Sequence, residues 1–130
     1  MIQFAYTILY VLDVSKSIEF YEKAFGLHRK LLAPDNSYAE LMTGETVLAF
    51  ASHQLAKANH KGGFTKSKQT NKPFGIEIGF ATKNVEDALK AALAAGAGLS
   101  EEPTVKPWGQ TVAYVRDPDG FLIEICTPVS

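Results

Sequence analysis

The sequence has very little cysteine, no long apolar run and no excess of one charge. Its single cysteine, Cys126, cannot form a disulfide within the chain, which is typical of proteins in a reducing compartment. No apolar run approaches the roughly 20 residues of a transmembrane helix, and the N-terminus lacks the pattern of a signal peptide. The 13 Lys and Arg residues balance 14 Asp and Glu residues, so charge favours neither nucleic acid nor a membrane as a partner. These absences predict a soluble, cytoplasmic protein.

A repeated pattern runs through the 130 residues, which suffice for one domain with a hydrophobic core. In residues 10–27 and again in 81–98, an apolar strand leads into a helix that stops near a glycine. The helices follow Asp13-Val14 and Asn84-Val85, with Asp13 or Ser15 as the candidate N-cap of the first and Asn84 as that of the second, and each carries a one-sided apolar stripe. Short apolar segments separated by turn residues follow, at about 27–33, 37–42 and 46–52, and at about 99–105, 109–116 and 121–127. Each half therefore reads β-α-β-β-β, which predicts two similar modules.

The segment between the halves differs in composition. Residues 52–72 contain five lysines, two histidines and no acid, which leaves 8 basic against 14 acidic residues, a net −6, in the remainder. One interpretation is a solvated, mobile connector; the other is a lid over a ligand site or a contact for an anionic group. The predicted organisation is a single domain, 1–130, with module one at 1–52, a linker at 53–72 and module two at 73–130.

Two motifs, DVSKSIEFY at residues 13–21 and WG…RDPDGFLIE at residues 108–124, carry a family resemblance. The sequence resembles the vicinal oxygen chelate superfamily, which includes glyoxalases, extradiol dioxygenases, epimerases, fosfomycin-resistance enzymes and bleomycin-resistance binding proteins. The resemblance implies an α+β fold in which two βαβββ modules form a cup-shaped mixed sheet with helices on the outer face. It also implies a homodimer, which would cover exposed sheet edges.

Strand alternation then predicts which side chains face the cup, because side chains of a strand point to opposite faces in turn. The helix side should receive Phe74, Ile76, Ile78, Phe80, Phe121, Ile123 and Ile125. The cup side should receive Gly75, Glu77, Gly79, Ala81, Leu122, Glu124 and Cys126. Glu124, an isolated charge in an apolar strand, is therefore expected on the wall of the cup.

Metal-dependent members of the superfamily hold a divalent ion with four His, Gln or Glu residues, and the resemblance assigns those positions to Tyr6, Ala49 (or Leu48), Glu77 and Glu124. Only Glu124 is the usual ligand at its position. A tyrosine must lose its phenolic proton to ligate, and alanine has no donor atom. We therefore expect no metal cofactor, although two carboxylates could hold Mg²⁺ or Mn²⁺ weakly with the help of waters.

The histidines and the cysteine are not expected to be catalytic. His28, His53 and His60 are expected to face solvent, and of these only His53, at the end of the fourth strand, is placed where it could matter. Cys126 has no evident histidine partner, so a nucleophilic thiol is not expected. A purely structural or nucleic-acid-binding role has little support, because among the linker residues only Phe64 could stack on a base.

Two functions stay open. The first is metal-independent binding of a small organic ligand, cationic or aromatic, as in bleomycin-resistance-like sequestration. Its candidate ligand-binding residues are Tyr6, Tyr10, Ala49, Glu77, Trp108, Tyr114 and Glu124. For Tyr6, Tyr10 and Trp108 the alternative is packing in a strand or a turn. The second function is a glyoxalase-like lyase or isomerase in which Glu77 and Glu124 are the catalytic acid–base groups, with or without a weakly bound metal.

Overall fold

The structure, a computed structural model, describes residues 1–129. The chain forms two compact units. The first unit comprises residues 1–22 and 26–66, and the second comprises residues 23–25 and the chain from Ser67 onward. The boundary at Lys66 lies inside the predicted linker, so the linker does not separate the units but is divided between them.

The first β-α-β-β-β segment consists of β1 Tyr6–Val11, α1 Val14–Phe25, β2 His28–Leu32, β3 Tyr38–Met42 and β4 Val47–Ser52. Its sheet has the order β1-β4-β3-β2, with β1 parallel to β4 and the other pairs antiparallel. Helix α1 begins after Asp13, whose carboxylate accepts a hydrogen bond from the Lys16 amide, and ends at Gly26 in the left-handed conformation.

The second segment repeats this arrangement with β5 Glu77–Ala81, α3 Val85–Ala94, β6 Gly98–Val105, β7 Thr111–Arg116 and β8 Leu122–Cys126. The sheet order is β5-β8-β7-β6, again with one parallel pair, β5 and β8. Asn84 caps α3 by accepting from the Asp87 amide. The predicted α+β class and the two βαβββ modules with mixed sheets are confirmed.

Each unit has its core on one face of its sheet. In the first unit, the ring of Tyr21 on α1 lies 5.2 Å from the ring of Phe50 on β4, and both side chains are fully buried. In the second unit, α3 packs on β6, β7 and β8. Its buried residues are Val85, Leu89 and Ala92, and the buried strand residues include Ala113, Val115, Ile123 and Ile125. The sheet face opposite to this core is called the open face below.

Strand alternation is confirmed for β8 and partly wrong for β5. Phe121, Ile123 and Ile125 are buried, as predicted. The prediction that Ile76 packs on the helix side is wrong, because Ile76 is 59% exposed and β5 starts only at Glu77. The Ile76 amide donates to the carbonyl of Phe74, a tight turn that keeps Phe74 and Ile76 out of the strand.

The linker is more ordered than its composition indicates. Residues His53–Asn59 form helix α2, capped by the Ser52 hydroxyl, which accepts from the Leu55 amide. The polar composition of this stretch did not predict the helix, which the serine cap and the burial of Ala56 stabilise. Within residues 1–129, no helix combines the length and the apolar character needed to span a membrane.

The last part of the linker is held by the RDPDG turn of the second unit. Arg116 donates to the carbonyls of Lys68 (3.1 Å) and Asn71 (2.8 Å), while Gln69 donates to the carbonyl of Asp117 (2.8 Å). The buried Asp117 carboxylate accepts from the amides of Asp119 and Phe121, both at 2.9 Å. The motif that carried the resemblance therefore has a structural role at this turn.

Candidate functional site

A polar row crosses the open face of the second sheet. The strand register aligns Gly79 of β5 with Glu124 of β8, Glu124 with Tyr114 of β7, and Tyr114 with Glu101 of β6. Glu77 lies on the same face, two residues before Gly79. We name these five residues the acidic row. It places Glu77, Tyr114 and Glu124, three of the predicted site residues, on one surface.

Hydrogen bonds organise the middle of the acidic row. The hydroxyl of Tyr114 donates to Glu124 Oε1 at 3.0 Å. On the other side of Glu124, a Cβ at position 79 would lie 3.8 Å from Oε2, so the glycine leaves the space beside that oxygen free of a side chain. The Glu124 carboxylate also forms side-chain hydrogen bonds with Glu77 and Cys126, so it lies at the centre of the row.

The electrostatics of the row favour protons and other cations. Partial burial, and then the charge of Glu124, raise the pKa of Glu77 above its ordinary value. Burial and the hydrogen bond to Glu124 raise the pKa of Tyr114 to about 12. Burial also raises the pKa of the Cys126 thiol, with Glu124 adding to the effect. A raised pKa leaves less of the thiolate, the reactive form of cysteine, at neutral pH.

No basic side chain neutralises the two glutamates at the centre of the row. Among residues 1–129, the ion pairs are Arg29 with Glu22 and Lys30 with Glu40, and both lie in the first unit. Neither Glu77 nor Glu124 is paired with a lysine or an arginine in that part of the chain. Their negative charge is therefore available to a bound cation.

The equivalent row of the first sheet contains Ile8, Ala49, Glu40 and Leu31. Here the carboxylate of Glu40 accepts from the Tyr38 hydroxyl at 2.7 Å and forms an ion pair with Lys30 at 3.6 Å. Sequence reasoning missed Tyr38, Glu40 and Glu101 as members of these rows. The alternation in YAELM at residues 38–42 was a usable signal for the first two.

The other predicted ligand-binding residues have separate locations. Tyr6 is 47% exposed on β1, and Ala49 is completely buried on β4. Tyr10 packs its ring edgewise on Phe64, with the centroids 4.7 Å apart. Trp108 lies in the turn between β6 and β7, is 68% exposed, and donates to Gln110 at 2.7 Å. Trp108 does not plug the core, and it lies six residues along the hairpin from Tyr114.

The histidines lie outside the acidic row. His28 is exposed on β2, and His60 is exposed after α2. His53 is the first residue of α2, and its ring centroid lies 5.7 Å from that of Phe64. His53 directly follows β4, as predicted, and is also the first residue of α2. The expectation that it faces solvent is wrong, because both ring nitrogens are buried.

The sequence matches one family of known proteins. A family model described as the Glyoxalase/Bleomycin resistance protein/Dioxygenase superfamily matches residues 3–125. The chain belongs to this superfamily.

Related superfamily members include proteins named for one activity. The chain is 30% identical over 128 residues to a probable lactoylglutathione lyase of Vibrio cholerae, covering 92% of this chain and 86% of that protein. It is 29% identical over 129 residues to a putative lactoylglutathione lyase of Brassica oleracea, covering 95% of this chain. The chain spans only 43% of the length of that plant relative.

Several solved structures share the fold of this chain. A glyoxalase-related enzyme from Fulvimarina pelagi superposes with a TM-score of 0.82 at 23% identity, covering 98% of this chain and 89% of that one. TioX from Micromonospora superposes with a TM-score of 0.72 at 19% identity, covering 98% of this chain and 99% of that one. At such identities the likeness extends to the fold alone.

The residues at the superfamily's metal-ligand positions do not fit its usual ion. The first unit offers a methyl group at Ala49 and a phenol at Tyr6. The second unit offers two carboxylates and no imidazole, and in residues 1–129 no group of three or more His, Cys, Asp or Glu side chains is arranged to hold a metal. Zinc and similar ions favour nitrogen or sulfur ligands and usually need at least three from the protein.

Proposed function

We propose that this chain binds a small organic cation on the acidic row, without a metal and without chemical conversion of the ligand. The observation that carries the proposal is the pair Glu77 and Glu124, which lies on an open face with no basic partner in residues 1–129. Membership of a superfamily that includes bleomycin-resistance proteins supports sequestration as the purpose.

The contacts of the row fit a ligand with a positive group attached to a flat ring. The ammonium or amidinium group would lie against the carboxylates of Glu77 and Glu124, where a cation favours the ionised form of Glu77, whose pKa is raised by burial and by the charge of Glu124. Tyr114 is held in place by its hydrogen bond to Glu124 and offers an aromatic face to the cation. Bridging two partly desolvated carboxylates should give the ligand both affinity and orientation.

The test is calorimetric titration of the protein with benzamidine and benzyltrimethylammonium, with benzyl alcohol as the neutral analogue. We expect both cations to bind and to raise the melting temperature, and benzyl alcohol to do neither. Glu124→Gln should weaken binding by about tenfold or more, since it removes a charge-assisted contact worth roughly 1.5–3 kcal/mol. Glu40→Gln is the matched control, because Glu40 already has Lys30 as its partner.

Proton release gives a second measurement of the same event. The pKa of Glu77 is raised, so the binding of a cation should release the Glu77 proton. Binding should therefore become tighter as the pH rises through the pKa of Glu77. Equal affinity for the cations and benzyl alcohol, or equal loss in Glu124→Gln and Glu40→Gln, would contradict the proposal.

A second candidate function is glyoxalase-like acid–base catalysis. The raised pKa of Glu77 beside Glu124 favours it, because two carboxyl groups that share a site can act as one acid and one base. The names of the relatives favour it as well. In this function Glu124, oriented by Tyr114, would accept a proton from the substrate, and Glu77 would deliver one.

Incubation with lactoylglutathione, the compound in the relatives' names, distinguishes the two functions. Turnover that is lost in both Glu77→Gln and Glu124→Gln, but kept in Glu40→Gln, would establish catalysis. Saturable binding of benzamidine without any turnover, with and without added Mg²⁺ or Mn²⁺, would establish binding alone.

A further inference from the structure

A cavity lies in the first unit, and its electrostatic character is opposite to that of the acidic row. It has a volume of about 350 Å³ and is lined by Leu12, Ser52, His53, Gln54, Lys57 and Lys66. We name it the basic cavity. Its volume is at the lower end of the range of roughly 300–1,000 Å³ that is usual for small-molecule sites. It is built by the end of β4, by α2 and by the linker segment that follows α2.

The basic cavity has no acidic lining residue, and two lysines contribute to it. Among residues 1–129, neither Lys57 nor Lys66 forms an ion pair with a carboxylate. The surrounding segment, 52–72, has no acid at all, whereas the remainder of the chain has a net charge of −6. The positive charge is thus confined to one place in an otherwise acidic molecule, where it attracts anions.

The uncharged groups of the cavity are also suited to an anion. The Ser52 oxygen already accepts a hydrogen bond from the Leu55 amide at 3.1 Å, so its own hydroxyl proton is left to donate. Gln54 can donate through its side-chain amide. Leu12, which is 79% exposed, adds an apolar surface at the rim.

We propose that the basic cavity binds a small organic phosphate, with the phosphate between Lys57 and Lys66 and the organic part against Leu12. Two lysines match the charge of a phosphate monoester better than that of a single carboxylate. This site is independent of the acidic row, because it uses another unit, other residues and a ligand of opposite charge.

The test is a titration of the whole chain with phenyl phosphate, followed by NMR chemical shifts and by calorimetry. We expect saturable shifts at the amides of Leu12, Ser52, His53 and Gln54. Benzyl alcohol should not bind, and benzoate should bind more weakly than phenyl phosphate. Lys57→Gln together with Lys66→Gln should weaken binding by about tenfold or more, since the double variant removes both charged donors to the phosphate.

The matched control is Lys61→Gln together with Lys72→Gln. Both double variants lower the net charge equally, but Lys61 and Lys72 are exposed and do not line the cavity. We expect the control to bind phenyl phosphate within about twofold of the parent. Equal weakening in both double variants would overturn the proposal by showing only general charge attraction. Shifts in the parent that centre outside the four named amides would overturn it without any variant.

Discussion

The two sheets place a tyrosine–glutamate pair on the same face but give the glutamate different neighbours. In the first sheet Glu40 accepts from Tyr38 at 2.7 Å, and Lys30 lies 3.6 Å away. In the second sheet Glu124 accepts from Tyr114 at 3.0 Å, and its charge acts on Glu77 instead of on a lysine. One carboxylate has a basic partner within residues 1–129, and the other has none there.

The two sheets also differ at one pair of equivalent strand positions, where only the second sheet has a charged residue. Position 49 on β4 and position 124 on β8 occupy equivalent places, and they hold a buried alanine and a half-buried glutamate. Duplicated strands thus keep their helix-facing residues apolar, whereas the open face is free to change. The comparison teaches that the capacity for binding charge is a property of the residues on one sheet, not of the repeated fold.

The largest expected effect comes from making the first sheet resemble the second. Ala49→Glu would place a carboxylate at a completely buried position beside Glu40, without a partner. We expect a loss of about 4 kcal/mol in the free energy of unfolding, from overpacking and an uncompensated buried charge. The measurement is urea unfolding at pH 7. Ala49→Gln is the matched control and should lose less, because it adds nearly the same volume without the charge. Equal losses in the two variants would show that volume alone matters at this position.

The repeat explains how much of the fold could be predicted from the sequence. The helix starts at Asp13 and Asn84 follow local capping rules, and strands with one buried face alternate between apolar and polar residues. Helix starts and strands could therefore be predicted from the sequence. Helix α2 could not be predicted, because its composition is that of a loop and its stability depends on the burial of Ala56 and on the Ser52 cap. Ile76 was misplaced because a tight turn at Phe74 ends the alternation.

The site was predictable only in part, for a related reason. Glu77 and Glu124 could be found as isolated charges in apolar strands, because alternation fixes the face of each residue. The pairing of Lys30 with Glu40 could not be predicted from the sequence, because it depends on an irregular register between β2 and β3. Residue type alone does not distinguish a neutralised glutamate from an available one.

The next effect compares the two glycines that precede the last strand of each module. Gly44 and Gly120 both have a positive φ, of 98° and 90°. A Cβ at position 44 would meet nothing within 4 Å, whereas at position 120 it would lie 2.5 Å from the backbone carbon of Lys68. We expect Gly44→Ala to cost about 1–2 kcal/mol from conformational strain, and Gly120→Ala to cost about 1–3 kcal/mol more from the clash. Thermal and urea unfolding of the two variants measure the difference.

The order of these two glycine variants tests whether the RDPDG turn really holds the linker. If residues 67–72 could move away at little cost, the two substitutions would destabilise the chain equally. A larger loss in Gly120→Ala, together with a loss in Arg116→Ala, would instead confirm that the turn and the linker are packed as one structure, since Arg116 donates to both Lys68 and Asn71. The turn of the first unit has no such neighbour at Gly44.

The smallest expected effect is a difference in sign between the stability changes of two variants, one in each sheet. It tests the comparison of the two glutamates most directly. The pKa of Glu77 is raised in the folded chain, so its contribution to stability is fully present below the unfolded pKa of about 4.3 and is lost as the pH rises through the folded value. At pH 7 the ionised group therefore costs stability, and Glu77→Gln should raise the free energy of unfolding at pH 7 but not at pH 4. Glu40→Gln should lower it at pH 7, because it removes the partner of Lys30. Both changes should stay below about 1 kcal/mol, since solvent screens partly exposed charges. Two shifts of the same sign at pH 7 would mean that the glutamates of the two sheets have the same electrostatic environment, and the distinction drawn from their neighbours would be wrong.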